Sequence, residues 1–137
     1  MIAEIYACGH NNTSAFIVKE AENIVHYGSY KWGDNISFGG VNAPADDMNC
    51  EILAVICGLM MCRNDGRQLV NIYTDDVSCQ KRYYRNDCDS PFFASFLSNS
   101  EGMDIYAEPW IDHPQNGDFK TACLEMTSIK QNGIQQR

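Results

Sequence analysis

Three short stretches near the start of the chain, residues 2–7, 15–19 and 23–30, are largely apolar runs set off by polar positions. Each is rich in β-branched and aromatic residues, and polar breaks at Asn11-Asn12 and around Glu20 to Glu22 separate them. This pattern predicts three strands in an antiparallel meander. Residues 33–44 gather Gly, Asn and Pro, which predicts a loop.

A helical period follows. Asp46 and Asp47 both suit a helix N-cap and the positive end of the helix dipole. Beyond them Met48, Ile52, Val55 and Leu59 recur at helical spacing, with Cys57, Met60 and Met61 widening the apolar face. A helix this apolar belongs in the centre of a fold, covered on most sides. Its apolar run, residues 52–61, is too short to cross a bilayer, and the helix should stop near Asn64-Asp65-Gly66.

Leu69–Thr74 reads as a buried strand. A second helix is predicted over residues 77–85 and a third over 92–97, with Ser90 as cap and Pro91 in its first turn. A last strand follows at 103–107 and a last helix at 117–130. The order β-β-β-α-β-α-α-β-α describes an α/β fold, a mixed sheet flanked by helices. No repeat, low-complexity tract or linker divides the 137 residues, so a single domain spanning 1–137 is expected.

Composition narrows the function. Ten Lys and Arg stand against 18 Asp and Glu, a formal charge of −8. That balance opposes tight binding of phosphate backbones and of membrane surfaces. The first ten residues carry no basic cluster, so no signal peptide is expected. Seven scattered cysteines with no CxxC pair, and three histidines far apart, exclude a zinc ribbon or finger. They read as reduced thiols of an intracellular, cytoplasmic protein, Cys57 serving as a small hydrophobe.

The chemistry rests on two carboxylates. Glu51 lies on the first turns of the central helix in Asn49-Cys50-Glu51-Ile52-Leu53-Ala54, and Asp75 closes a buried strand in Ile72-Tyr73-Thr74-Asp75-Asp76. An acid at a strand end facing an acid on a helix is a minimal anchor for Mg²⁺. Read alone, Glu51 equally suits an exposed first-turn residue favoured by the dipole, and Asp75 or Asp76 a cap for the next helix.

With these segments in that order, the chain resembles the ribonuclease H-like superfamily, above all ribonuclease H type 1, over nearly its whole length. The resemblance implies a five-stranded mixed sheet, an antiparallel β1-β2-β3 meander followed by parallel strands. It also implies two Mg²⁺ or Mn²⁺ ions held by four carboxylates, which activate water and stabilise the departing oxygen of a phosphodiester. Glu51 and Asp75 match two of the four positions.

The other two depart. Ile5-Tyr6-Ala7-Cys8-Gly9-His10 resembles the strand ending in Asp-Gly-Ser and places Cys8 where the family has an aspartate. A thiol is soft and mostly protonated, whereas Mg²⁺ takes hard oxygen. Glu4 shares that strand face but lies roughly 13 Å away, too far to substitute. His10 is the only nearby group that would activate Cys8 as a nucleophile. His113-Pro114-Gln115-Asn116 resembles the lead into the last helix, where the acid position falls on Lys120. His113 is a weak counterpart of the family's mobile histidine.

Two functions follow from the resemblance. In the first, the chain is weakened or inactive as a nuclease and serves as a nucleic-acid- or protein-binding module, with RNA/DNA hybrid, RNA or an unidentified protein as partner and no membrane. In the second, it is an active Mg- or Mn-dependent endonuclease cutting RNA in hybrids, with Asp118, Asp76 or Asp112 supplying the missing oxygens. Lys81, Arg82, Tyr84 and Arg85 form the one local basic cluster, suited to backbone contact and base stacking, and equally to the cationic end of an amphipathic helix.

Overall fold

The computed structural model describes residues 2–21, 23–74, 89–109 and 135–136. Three strands open the chain: β1 (Ala3–His10), β2 (Thr13–Glu20) and β3 (Asn23–Lys31). They pair antiparallel, with Cys8 opposite Ala15 and Phe16 opposite Gly28. The β1–β2 turn is Asn11-Asn12, both left-handed at φ 52° and 57°. Asparagine tolerates that conformation, and it matches the twist of the strands it joins.

A hairpin of β4 (Asn35–Phe38) and β5 (Val41–Pro44) follows, then α1 (Asp47–Asn64) and β6 (Leu69–Thr74). After these come α2 (Phe93–Ser100), β7 (Asp104–Pro109) and β8 (Gln135–Gln136). The main sheet runs β7-β6-β1-β2-β3-β8. β6 lies parallel to β1 with Ala7 beside Thr74, and β7 lies parallel to β6. Five of its strands, β3-β2-β1-β6-β7, are the mixed α/β sheet expected from the sequence, antiparallel then parallel. The two residues of β8 add a sixth strand against β3.

β1 is buried on both faces, as a central strand should be. Ala3, Ile5 and Ala7 point into the main core with Phe16, Val18, Ile72 and the apolar residues of α1. Tyr6 and Cys8 point the other way, into a smaller cluster with Ala15, Ile17 and Tyr73. There the rings of Tyr6 and Tyr73 stack at 5.0 Å. Phe92, Phe93 and Phe96 carry α2 onto the main core.

Along α1, residues 49–56 are buried on every side, more than two full turns. The helix starts as its sequence implies, with Asp46 as N-cap accepting from the Asn49 amide at 2.8 Å. It ends where expected too. Gly66 takes φ +75°, its N–H returns to the Arg63 carbonyl and that of Arg67 to Cys62, a Schellman closure.

The expected loop at 33–44 is instead the β4–β5 hairpin. Ile36 and Ala43 face each other across it and are buried, Ile36 completely, and Gly39-Gly40 make the turn. The Gly, Asn and Pro content concealed an alternation only four residues long on each arm. β1 runs to His10, three residues past its expected end, because Asn11-Asn12 places the hairpin turn there. α2 begins one residue after its predicted start, and Ser90 does not cap it directly. Ser90 Oγ accepts from the Phe92 N–H at 3.2 Å. The helices expected over 77–85 and 117–130 lie outside the described residues. No described helix is long and apolar enough to cross a membrane.

α1 crosses β1 at Gly58, where a Cβ would come within 2.7 Å of Ile5 Cγ2. Ile5 is buried and β-branched, so it has no easy rotamer to retreat into. Alanine would gain about 1 kcal/mol in helix propensity but lose about 1–3 kcal/mol to overpacking. We therefore expect Gly58→Ala to lower the urea midpoint, and Gly58→Val to lower it further.

At the opposite end of α1, Arg67 bridges Glu20 at 2.8 Å and Asp65, and His26 Nε2 meets Asp65 Oδ2 at 2.6 Å. The hydrogen bond from His26 is the main cause holding the Asp65 carboxyl below the usual range, with Arg67 adding to it. A carboxylate lowered in this way adds stability above its unfolded value near pH 4, and that stability is lost as pH falls through the lower folded value. Urea denaturation at pH 7 and pH 3 should show a smaller difference in Asp65→Asn than in the parent chain.

Candidate active site

The parallel register sets the C-terminal ends of β1 and β6 side by side, and α1 begins over the same edge. One close contact fixes the corner. A Cβ on Gly9 would collide with the carbonyl oxygen of Asp47 and the backbone nitrogen of Glu51, and would stand 2.8 Å from Cys50 Cβ. The first turn of α1 therefore rests directly on the backbone of β1, with no side chain between them. This is the physical reason for glycine after Cys8, and it brings Glu51 to the strand end.

Glu51 is 2% exposed, with Oε1 closed off from solvent. The alternative of a solvated first-turn residue is thereby overturned, because the helix start is covered by β1 and by the segment entering α2. Four side chains hold that turn. Asn49 Nδ2 donates to the Pro44 carbonyl and Asn49 Oδ1 accepts from Ser90 Oγ, both at 2.8 Å. Ser14 Oγ donates to the Cys50 carbonyl at 2.7 Å, and the Trp32 indole N–H donates to Ser14 Oγ at 2.9 Å. Buried polar groups of this kind hold a position firmly when each has a partner.

The positive end of α1 is occupied by the chain's own acids. Asp46 is spent on the cap, and Asp47, 66% exposed, meets His10 Nδ1 at 3.2 Å. Their charge is felt nearby. Burial first, then Asp47 and Asp46, push the Cys50 thiol up to about 12, against an opposing hydrogen bond with Ser14. Burial alone takes Cys57 to about 11. Both are protonated at neutral pH, and Cys57 behaves as the small hydrophobe expected of it. None of Cys8, Cys50, Cys57 and Cys62 is in a disulfide.

Cys8 is fully buried in the cluster with Tyr6, Ala15, Ile17 and Tyr73. Glu4, on the same strand face, is engaged elsewhere: Tyr6 Oη donates to it at 3.2 Å and Lys19 Nζ lies at 3.8 Å. His10, the one neighbour suited to activating Cys8, is turned to Asp47 on α1. Among the described residues no three His, Cys, Asp or Glu side chains gather closely enough to hold a metal. A soft, buried sulfur at the strand end does not fit Mg²⁺, which takes hard oxygens and keeps several waters.

Thr74 ends the described part of β6 and is buried. Asp75, Asp76, Asp112, His113, Asp118 and Lys120 lie outside the described residues, as do Lys81, Arg82, Tyr84 and Arg85. Sequence reasoning missed Asn49, Ser90, Ser14 and Trp32. Asn49 carried a signal, three residues after a capping Asp in the first turn, whereas its contact with Ser90 spans 41 residues and leaves no local trace.

The Gly9 contact is backbone against backbone, so nothing flexible can yield. Gly9→Ala should cost about 3 kcal/mol or more, or prevent folding, a larger loss than Gly58→Ala in the same denaturation experiment.

No protein-family profile and no curated protein sequence matches the chain. Solved structures do. The ribonuclease H1 of the halophilic archaeon Halobacterium salinarum NRC-1 is 14% identical at a TM-score of 0.57, over 90% of this chain and 96% of that one. LC11-RNase H1, solved in complex with an RNA/DNA hybrid, is 12% identical at a TM-score of 0.57, over 93% and 99%. The N-terminal RNase H domain of rv2228c from Mycobacterium tuberculosis, solved as a fusion with maltose-binding protein, is 14% identical at a TM-score of 0.50, over 85% and 92%. These likenesses, with the mixed five-stranded sheet described above, lead to one structural conclusion: the chain has a ribonuclease H-like fold.

Proposed function

We propose that the chain is a ribonuclease H-like binding module in which hydrolysis is weakened or lost. Its ligand in this reading is RNA/DNA hybrid or RNA, with a protein partner as the other class. One observation carries it: the position at the end of β1 that the resemblance assigns to an aspartate holds Cys8, fully buried in an apolar cluster. Two-metal hydrolysis needs oxygen ligands on both ions, and a thiol supplies none. The −8 charge and the acids at the start of α1 weigh in the same direction, since each opposes a phosphate drawn tightly into the corner.

The hydrolase reading keeps one observation in its favour, the burial of Glu51 at the strand end. It requires Asp75, with Asp76, Asp112 or Asp118, to complete a Mg²⁺ or Mn²⁺ site without an acid at position 8.

The two are separated by incubating labelled RNA/DNA hybrid with the chain in Mg²⁺ and in Mn²⁺. Cleavage should be at least about 100-fold slower than by the halobacterial ribonuclease H1, in line with the loss of one group that stabilises the transition state. Rapid cutting that disappears in Glu51→Gln would overturn the binding-module reading.

A further inference from the structure

We infer that the cavity between the β2–β3 side of the sheet, β4 and the second half of α1 is a binding site for a small, neutral aromatic molecule of one ring or two fused rings. It goes beyond the binding-module reading and does not depend on it, since no carboxylate lines the cavity.

The cavity has a floor, walls and a rim. Ser14, Phe16 and Ser29 form a buried floor. Trp32, Phe38, Cys57 and Met61 are half-buried walls packed against the main core. Tyr30, 36% exposed, and Met60, 41% exposed, stand at the rim. This gradient describes a concavity that opens to water on one side. Its volume is about 210 Å³. An apolar cavity of roughly 150 Å³ takes up benzene, and pockets for drug-sized molecules begin at roughly 300 Å³. The space therefore suits one or two rings and is too small for a peptide helix.

The lining selects the chemistry. In a chain of charge −8, no Lys, Arg, His, Asp or Glu lines this cavity. Burial pushes the Cys57 thiol up to about 11, so it adds no charge at neutral pH. The rings of Tyr30 and Trp32 lie 4.4 Å apart at 59°, and Phe16 and Phe38 add two more aromatic surfaces. Met60 and Met61 bring polarizable sulfur, which favours an aromatic ring and adapts to its outline. Much of the hydrogen-bonding capacity is already used: the Trp32 N–H donates to Ser14 Oγ, which donates to the Cys50 carbonyl. A nucleobase would bury more donors and acceptors than the remaining hydroxyls of Ser29 and Tyr30 can meet, which is costly.

The test titrates indole, a neutral two-ring probe, into the full chain labelled at its methionine methyls and tryptophan N–H groups, followed by NMR. The Met60, Met61 and Trp32 signals should shift together and saturate, with a Kd on the order of 1 mM for so small a molecule. Adenosine should leave them unmoved. Met60→Trp places one of the chain's own rings in the mouth, at an exposed position, and should weaken indole binding at least about tenfold. Shifts that grow without saturating overturn the inference, as does indole binding left unchanged by Met60→Trp. Adenosine bound as tightly as indole also overturns it, in favour of a nucleobase pocket. Should Met60→Trp fail to fold, nuclear Overhauser contacts between indole and the rings of Phe16 and Trp32 in the parent chain decide: their presence supports the inference and their absence overturns it. Hybrid binding and cleavage enter none of these outcomes, so failure of the binding-module reading would leave the inference standing.

Discussion

The first turn of α1 lies against the backbone of β1, and the rest of the molecule is arranged around that contact. Gly9 permits it by letting the turn reach the end of the strand, and Gly58 lets the middle of the helix settle onto the Ile5 side chain. Between them stand more than two turns of helix with no exposed residue, packed against Ala3, Ile5, Ala7, Phe16 and Val18. Interiors are close-packed, so a contact made without intervening side chains leaves little freedom in how the helix is placed. The position of Glu51 follows from it.

Around that contact the chain uses its polar side chains as ties. Asn49, Ser90, Ser14 and Trp32 link the start of α1 to the end of β5, to β2 and through it to the residue after β3, and to the segment entering α2. At the other end of the helix Arg67 and His26 meet Glu20 and Asp65. Much of the acidic excess is thus placed rather than spread. Asp46 and Asp47 serve the helix start, Asp65 and Glu20 its end, and Glu4 meets Lys19 and Tyr6. A charge of −8 that reads in the sequence as opposition to anions is, in three dimensions, partly a set of internal fastenings.

The same placement separates fold from chemistry. A ribonuclease H-like framework asks for a central helix on a mixed sheet, and the apolar residues of α1, β1 and β6 supply it at an identity of 14% or less to the solved relatives. Hydrolysis asks for oxygen ligands at particular strand ends, and those are single side chains that can change without disturbing the packing. Cys8 shows the difference. A buried thiol suits the Tyr6 and Tyr73 cluster as a small hydrophobe, whatever chemistry the strand end supports.

The parts legible in the sequence were those governed by local periodicity. The three opening strands, the start of α1 at Asp46, its end at Gly66 and the parallel strand Leu69–Thr74 each follow from residues within one or two turns of themselves. Glu51 and Cys8 were singled out as candidate site positions from their neighbours in sequence, through the resemblance those segments carry. The β4–β5 hairpin was not legible, because four alternating residues on each arm are too few to stand out from Gly, Asn and Pro. Tertiary structure alone decided that Glu51 is buried, that Asn49 answers Ser90 across 41 residues, and that His10 turns to Asp47. The reason is physical: periodicity records which face of an element avoids water, whereas the partner that a polar side chain finds depends on where distant segments come to rest.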